Sequence, residues 1–285
     1  MNRTVPLSVP RRRFLAMTTA ALATAAVSPV LAGSLKKTGA KARVRGVQLY
    51  TVRALMEKSV PATLKALAGI GYEQVEFAGY FGEKPAELRK ILAGEGLSAP
   101  AAHLQLDQLR GDLQQHLDAA VEVGHDYVVL PWIGESERSE DSYKRLADDL
   151  NRWGEACRKA GLIMAYHNHE FEFSPAGDFV PYHHLLDHTD PALVSFELDL
   201  FWVRKAGYDP LVYFKQYPGR FPLWHVKDMD TEGNMVDVGA GIIDFPQILA
   251  AAGQSGYRYG FVEHDQPGDP LESVTASFSA AAGWG

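Results

Sequence analysis

The chain has 285 residues, is 46% hydrophobic, carries a formal net charge of -7 and contains one cysteine, Cys157. That apolar content supports a sizeable buried core, and the single cysteine excludes an internal disulfide. A surplus of acid argues against a nucleic-acid or anionic-membrane partner, since both need clustered Lys and Arg.

In chain order, the first segment is Arg11-Arg12-Arg13-Phe14-Leu15 followed by an Ala/Thr-rich stretch ending at Val30-Leu31-Ala32. The layout predicts a twin-arginine export signal over residues 1–32, and hence a periplasmic or otherwise exported mature chain, 33–285. The apolar run is short and broken by Thr, Ser and Pro, which disfavours a membrane anchor. Cleavage would remove four arginines and no acid, taking the net charge from -7 to -11.

Beyond residue 44, short Val/Ile/Leu/Tyr runs alternate with longer stretches of helical period, the pattern of βα units around a parallel sheet. Strands are expected at 44–50, 72–77, 97–103, 126–131, 162–167, 193–199, 221–227 and 257–263. Leu146, Leu150, Trp153 and Cys157 mark one buried helix face, so Cys157 reads as core. Gly71, Gly96, Gly124, Gly161 and Gly256 each stand where a helix would close before a strand. Eight such units in roughly 250 residues predict a single-domain α/β protein, a (β/α)8 TIM barrel. A doubly wound open sheet is the rival, and it lacks a Gly-x-Gly-x-x-Gly after the first strand.

Chemistry in such a barrel gathers at the carboxyl ends of the strands. Strand 5 ends in His167-Asn168-His169-Glu170, strand 6 in Glu197-Leu198-Asp199, strand 7 carries His225-Val226-Lys227-Asp228, and strand 8 ends in Glu263-His264-Asp265. Consecutive strands each offering His, Asp or Glu suit a mixed nitrogen and oxygen metal site, better matched to a transition metal than to Ca. His103 closes strand 3, Glu76 lies on strand 2 and Gln48 on strand 1. His103 and Glu76, with His169 and Trp202, are candidate substrate contacts; Trp132, Phe201 and Tyr80 offer stacking surfaces. His184 and His188 are four apart on a helix expected outside the barrel, where a solvated face is the simpler reading.

Asp199 in "ELDLFWV", His225 in "WHVKD", the "GAGIIDF" loop and Glu263 in "FVEHD" together resemble the xylose isomerase-like sugar isomerases and epimerases, and the resemblance spans the whole mature chain. It implies a divalent metal (Mn, Zn, Co or Mg) held by Glu, Asp, His and Glu from strands 5 to 8. Asp199, His225 and Glu263 match three of these positions. The strand 5 Glu falls on His167, so His167, Asp199, His225 and Glu263 are the expected ligands, with Glu170 or His169 as the alternative donor. The implied reaction is proton abstraction beside a carbonyl of a small carbohydrate. Glu263 would act as base, Glu170 as a second base, and Lys227 would steady the developing oxyanion, unless it is paired with Asp228 or Glu197. Glu172 is expected to meet substrate or solvent.

Export points to a non-phosphorylated sugar, keto-sugar or cyclitol. A lyase or hydratase on 3-keto-glycosides, a catalytically reduced sugar-binding barrel, and the DNA-cleaving branch of the same superfamily are the competing readings. The sequence is compatible with an oligomer.

Overall fold

The computed structural model describes residues 42–284; the expected export signal over 1–32 lies outside them. Eight strands form the barrel: β1 (Gly46–Gln48), β2 (Gln74–Phe77), β3 (Ser98–His103), β4 (Tyr127–Leu130), β5 (Ile163–His167), β6 (Val194–Asp199), β7 (Leu223–Val226) and β8 (Tyr259–Val262). Each pairs in parallel with its neighbours, and β1 closes the ring on β8 through Gly46 opposite Phe261 and Val47 opposite Val262. A (β/α)8 barrel is the observed fold.

Local chemistry explains the punctuation. The helix Glu140–Ala160 starts on Ser139, whose hydroxyl accepts the Ser142 N–H, and ends on Gly161 at φ 81°. That left-handed closure costs glycine little and turns the chain into β5. The buried face of this helix includes Leu146, Leu150, Trp153 and Cys157, and burial pushes the Cys157 thiol up to about 12. No described helix is long and apolar enough to cross a membrane.

The barrel interior is layered by the two-residue period of its strands. An apolar layer of Ala101, Tyr127, Val129, Ala165, Leu223 and Phe261 fills the lower interior. Gly46 makes room there, because a Cβ on it would stand 2.5 Å from the Phe261 ring. Two residues beyond Ala101, Ala165, Leu223 and Phe261 come His103, His167, His225 and Glu263, all buried. The polar layer therefore rests directly on the apolar one and inherits its inward direction.

Beyond β7, a hairpin pairs Asp228–Met229 with Met235–Val236. The following loop folds over Asp228, whose carboxylate accepts the N–H groups of Met229, Gly239, Gly241 and Ile243 at 2.8–3.2 Å. Gly241 is required here, since a Cβ would fall on the Asp228 carboxylate and the Met229 carbonyl. Asp228 is thus a loop anchor, and it is not the partner of Lys227.

Candidate metal centre

His167, Asp199, His225 and Glu263 each place one donor atom within 4.8 Å of the others, and all four are buried. His167, His225 and Glu263 form the floor of a cavity of about 490 Å³ lined also by Tyr50, His103, Trp132, His169, Lys227 and Asp265, while Asp199 is fully buried and does not line it.

Each donor is held from behind. The Nδ1 of His167 lies 3.0 Å from the Pro131 carbonyl oxygen. A carbonyl only accepts, so Nδ1 carries the hydrogen and Nε2 presents a lone pair. That lone pair faces Asp199 Oδ2 at 3.2 Å. Burial, followed by the neighbouring His225 charge, lowers His167 to about 4, so near neutral pH the imidazole has no second proton to give. Asp199 Oδ1 accepts the Trp202 N–H at 2.9 Å, capping the helix Leu200–Lys205. Its backbone N–H is received by Asn168 Oδ1 at 3.0 Å. Burial opposes its charge, but Lys227 and the histidines override it and hold Asp199 down at about 2.

His225 is fixed the other way round. Nε2 donates to Glu76 Oε2 at 2.6 Å, while Nδ1 stands 2.7 Å from Glu263 Oε2. That close pair is not aligned as a hydrogen bond, and both atoms are buried without a hydrogen-bond partner. Burial disfavours the ionised Glu263, yet Lys227 and His225 keep its carboxyl well below the ordinary carboxylate range. Two imidazole nitrogens and two carboxylate oxygens converging here, with His167 Nε2 and Asp199 Oδ2 facing one another as acceptors, suit a divalent cation. The residues present fit the metal.

Lys227 supplies the positive charge on this floor. Its Nζ lies 3.1 Å from Asp199 Oδ2, 2.9 Å from Glu263 Oε2 and 2.7 Å from Asp265 Oδ1. Burial opposes its charge, but these three carboxylates raise its pKa well above the ordinary value. Its partners are the site carboxylates rather than Asp228 or Glu197.

Several expected contacts stand elsewhere. Glu170 is exposed at the start of the turn Phe171–Phe173 and does not reach the floor. Glu172 turns inward instead, fully buried, accepting Tyr166 Oη–H at 2.6 Å and the His169 N–H at 2.8 Å. Burial raises its carboxyl to about 7. It meets neither solvent nor cavity; it pins the loop that carries His169. His169 does line the cavity, stacked on Phe171 at 5.4 Å. Trp202 stands behind His169, with ring centroids 5.5 Å apart, and does not line the cavity. Tyr80 pairs its hydroxyl with His125. His184 and His188 stack on each other at 4.0 Å on the outer helix Pro181–His188.

Glu76, expected to touch substrate, lies behind His225 with no solvent exposure. It belongs to a second buried group of Glu76, His103, Glu197 and His225. Here His103 Nε2 is 3.5 Å from Glu76 and 3.4 Å from Glu197. His103 also reaches the cavity wall. Burial opposes its charge, but Glu76 and Glu197 raise it from 6.5 to about 9. A histidine whose folded pKa is raised stabilises the fold fully below 6.5 and loses that contribution as pH rises through about 9. The metal-free protein is therefore expected to lose up to about 3 kcal/mol across that interval. Thermal unfolding at pH 6.5 and 9 checks this, with a smaller loss in His103→Gln; equal losses in the two proteins would contradict it.

Residues 64–278 match the family of xylose isomerase-like TIM barrels, AP_endonuc_2, and the chain belongs to that family. An inosose dehydratase from Lacticaseibacillus casei is 28% identical over 162 residues, covering 50% of this chain and 53% of its own. The chain thus spans about half the length of that curated relative. A sugar phosphate isomerase/epimerase from Parabacteroides distasonis superposes with a TM-score of 0.72 at 26% identity, covering 90% of this chain and 99% of its own. The IOLI protein, solved with a bound zinc atom, shares the fold with a TM-score of 0.68 at 16% identity, over 85% of this chain and 98% of its own.

Proposed function

We propose that this protein is a divalent-metal-dependent isomerase or epimerase that removes a proton next to the carbonyl of a non-phosphorylated sugar, keto-sugar or cyclitol. The observation that carries the reading is the convergence of His167, Asp199, His225 and Glu263 on one point, against the cavity wall that His167, His225, Glu263 and Lys227 line. A bound divalent metal would supply Lewis-acid polarisation of the substrate oxygens.

Everything else falls to the chain's own residues. Glu263 stays ionised and accepts the proton through its carboxylate. Lys227 places a fixed positive charge beside the same carboxylate, where negative charge develops on the substrate oxygen. The rim aromatics Tyr50 and Trp132, 43% and 47% exposed, offer flat faces to the C–H side of a sugar ring. The Arg11-Arg12-Arg13 leader supports an exported enzyme.

One observation favours a second reading, a dehydratase or lyase, including one acting on a 3-keto-glycoside. The carboxylates lining the cavity, Glu263 and Asp265, both follow β8, whereas the β5 side offers His167 and His169. Inversion at carbon needs a proton carrier on each face; elimination needs one base and a departing hydroxyl. The inosose dehydratase relative is consistent with that chemistry.

Among the described residues, Lys227 is the only lysine or arginine lining the cavity, and three carboxylates already hold it. No unpaired lysine or arginine of the cavity is therefore left among those residues for a phosphate. Assayed as purified with its metal content measured, the protein is expected to turn over free keto-sugars or keto-cyclitols and not their phosphates. Turnover confined to phosphorylated substrates would contradict the reading, and the absence of both metal and turnover would leave a sugar-binding barrel.

A further inference from the structure

Glu76 is a fully buried carboxylate on β2 that touches neither the cavity nor a surface cation. Burying such a charge is costly unless it is paired and hydrogen-bonded. Its partners form an ordered chain across the barrel interior. The Tyr50 backbone N–H donates to Gln48 Oε1 at 3.0 Å, which fixes the direction of that amide. Gln48 Nε2 then donates to Glu76 Oε2 at 2.8 Å. The same Glu76 oxygen receives His225 Nε2 at 2.6 Å, from β7. Glu197 Oε2 also approaches His225 Nε2, at the longer distance of 3.2 Å.

Resting on the metal-site reading above, we propose that Glu76 is a positioning residue: it holds His225 Nε2–H, so that the ring turns its Nδ1 lone pair to the metal position. An imidazole whose far N–H is tied to a carboxylate is fixed in tautomer and rotation and becomes a stronger donor. Gln48 completes the device, because without its amide the Glu76 oxygen would be restrained from one side only. The arrangement spans strands that are not neighbours, so His225 on β7 is aligned by a carboxylate fixed to the β1–β2 side of the barrel.

The test is the dissociation constant for Zn²⁺, by chelator competition on the full chain, together with the visible spectrum of the Co²⁺-loaded protein. Glu76→Gln is expected to weaken Zn²⁺ binding about 10- to 100-fold and to change the Co²⁺ bands, while Glu197→Gln loses less. Binding by Glu76→Gln within twofold of wild type overturns the assignment, as does a Glu197→Gln loss equal to or larger than that of Glu76→Gln. Should Glu76→Gln not fold, Gln48→Leu serves in its place; it is expected to weaken Zn²⁺ binding severalfold, and unchanged affinity overturns the proposal. A wild-type chain that takes up neither ion overturns the metal-site reading and this assignment together, whereas full binding retained in Glu76→Gln overturns the assignment alone.

Discussion

Glu263→Gln is expected to lower turnover by about 10²- to 10⁴-fold, the range for removing a positioned general base. The carboxylate sits 2.9 Å from Lys227 Nζ and 2.7 Å from His225 Nδ1, ionised despite its burial. The amide keeps the shape and loses the charge. It can neither take a proton nor balance Lys227. Measuring metal content beside turnover separates the two duties assigned to this residue. Lost turnover with metal retained marks the base, and lost metal marks the ligand. Turnover within tenfold of wild type would remove Glu263 from both roles.

Lys227→Met carries the second large effect, this time on stability. Asp199, Glu263 and Asp265 all lean on one buried ammonium group. Deleting it leaves their charges unbalanced in the barrel interior, a loss of about 3–5 kcal/mol for a broken buried pair. For a domain of this size that is on the order of 10 °C in the unfolding midpoint of the metal-free protein. Saturating Zn²⁺ should recover part of the difference, because the ion returns positive charge to the same carboxylates. An unchanged midpoint without metal would show that the three carboxylates do not depend on Lys227.

The barrel was legible because its signals are local. Gly161 ends a helix whose apolar face recurs at helical spacing, and the run after it can only be β5; the expected 162–167 became Ile163–His167. At β1 the expected 44–50 shrank to Gly46–Gln48, since Gln48 Oε1 captures the Tyr50 N–H and bends the chain. The choice of His167, His225 and Glu263 was legible too, because they stand at or near the carboxyl ends of their strands, where barrel chemistry gathers. Depth and tertiary partners are not local, and there the sequence was silent. Glu76 points inward as its position requires, but only the fold shows His225 standing between it and the cavity. Lys227 and Asp228 are adjacent, and adjacency suggested a pair. Alternation sends them apart, one to the metal floor and one to the loop over residues 239–243. In "HNHEFEF" the turn Phe171–Phe173 decides which glutamate enters, so Glu172 is buried and Glu170 exposed.

The central claim, proton removal beside a substrate carbonyl at this floor, is tested most directly by hydrogen exchange from solvent. Metal-loaded protein in D₂O, incubated with free keto-sugars and keto-cyclitols and followed by proton NMR, should exchange the C–H next to the carbonyl in at least one of them. That exchange should disappear in Glu263→Gln. Exchange that persists in the variant, or none with any substrate despite a full metal load, would contradict the account.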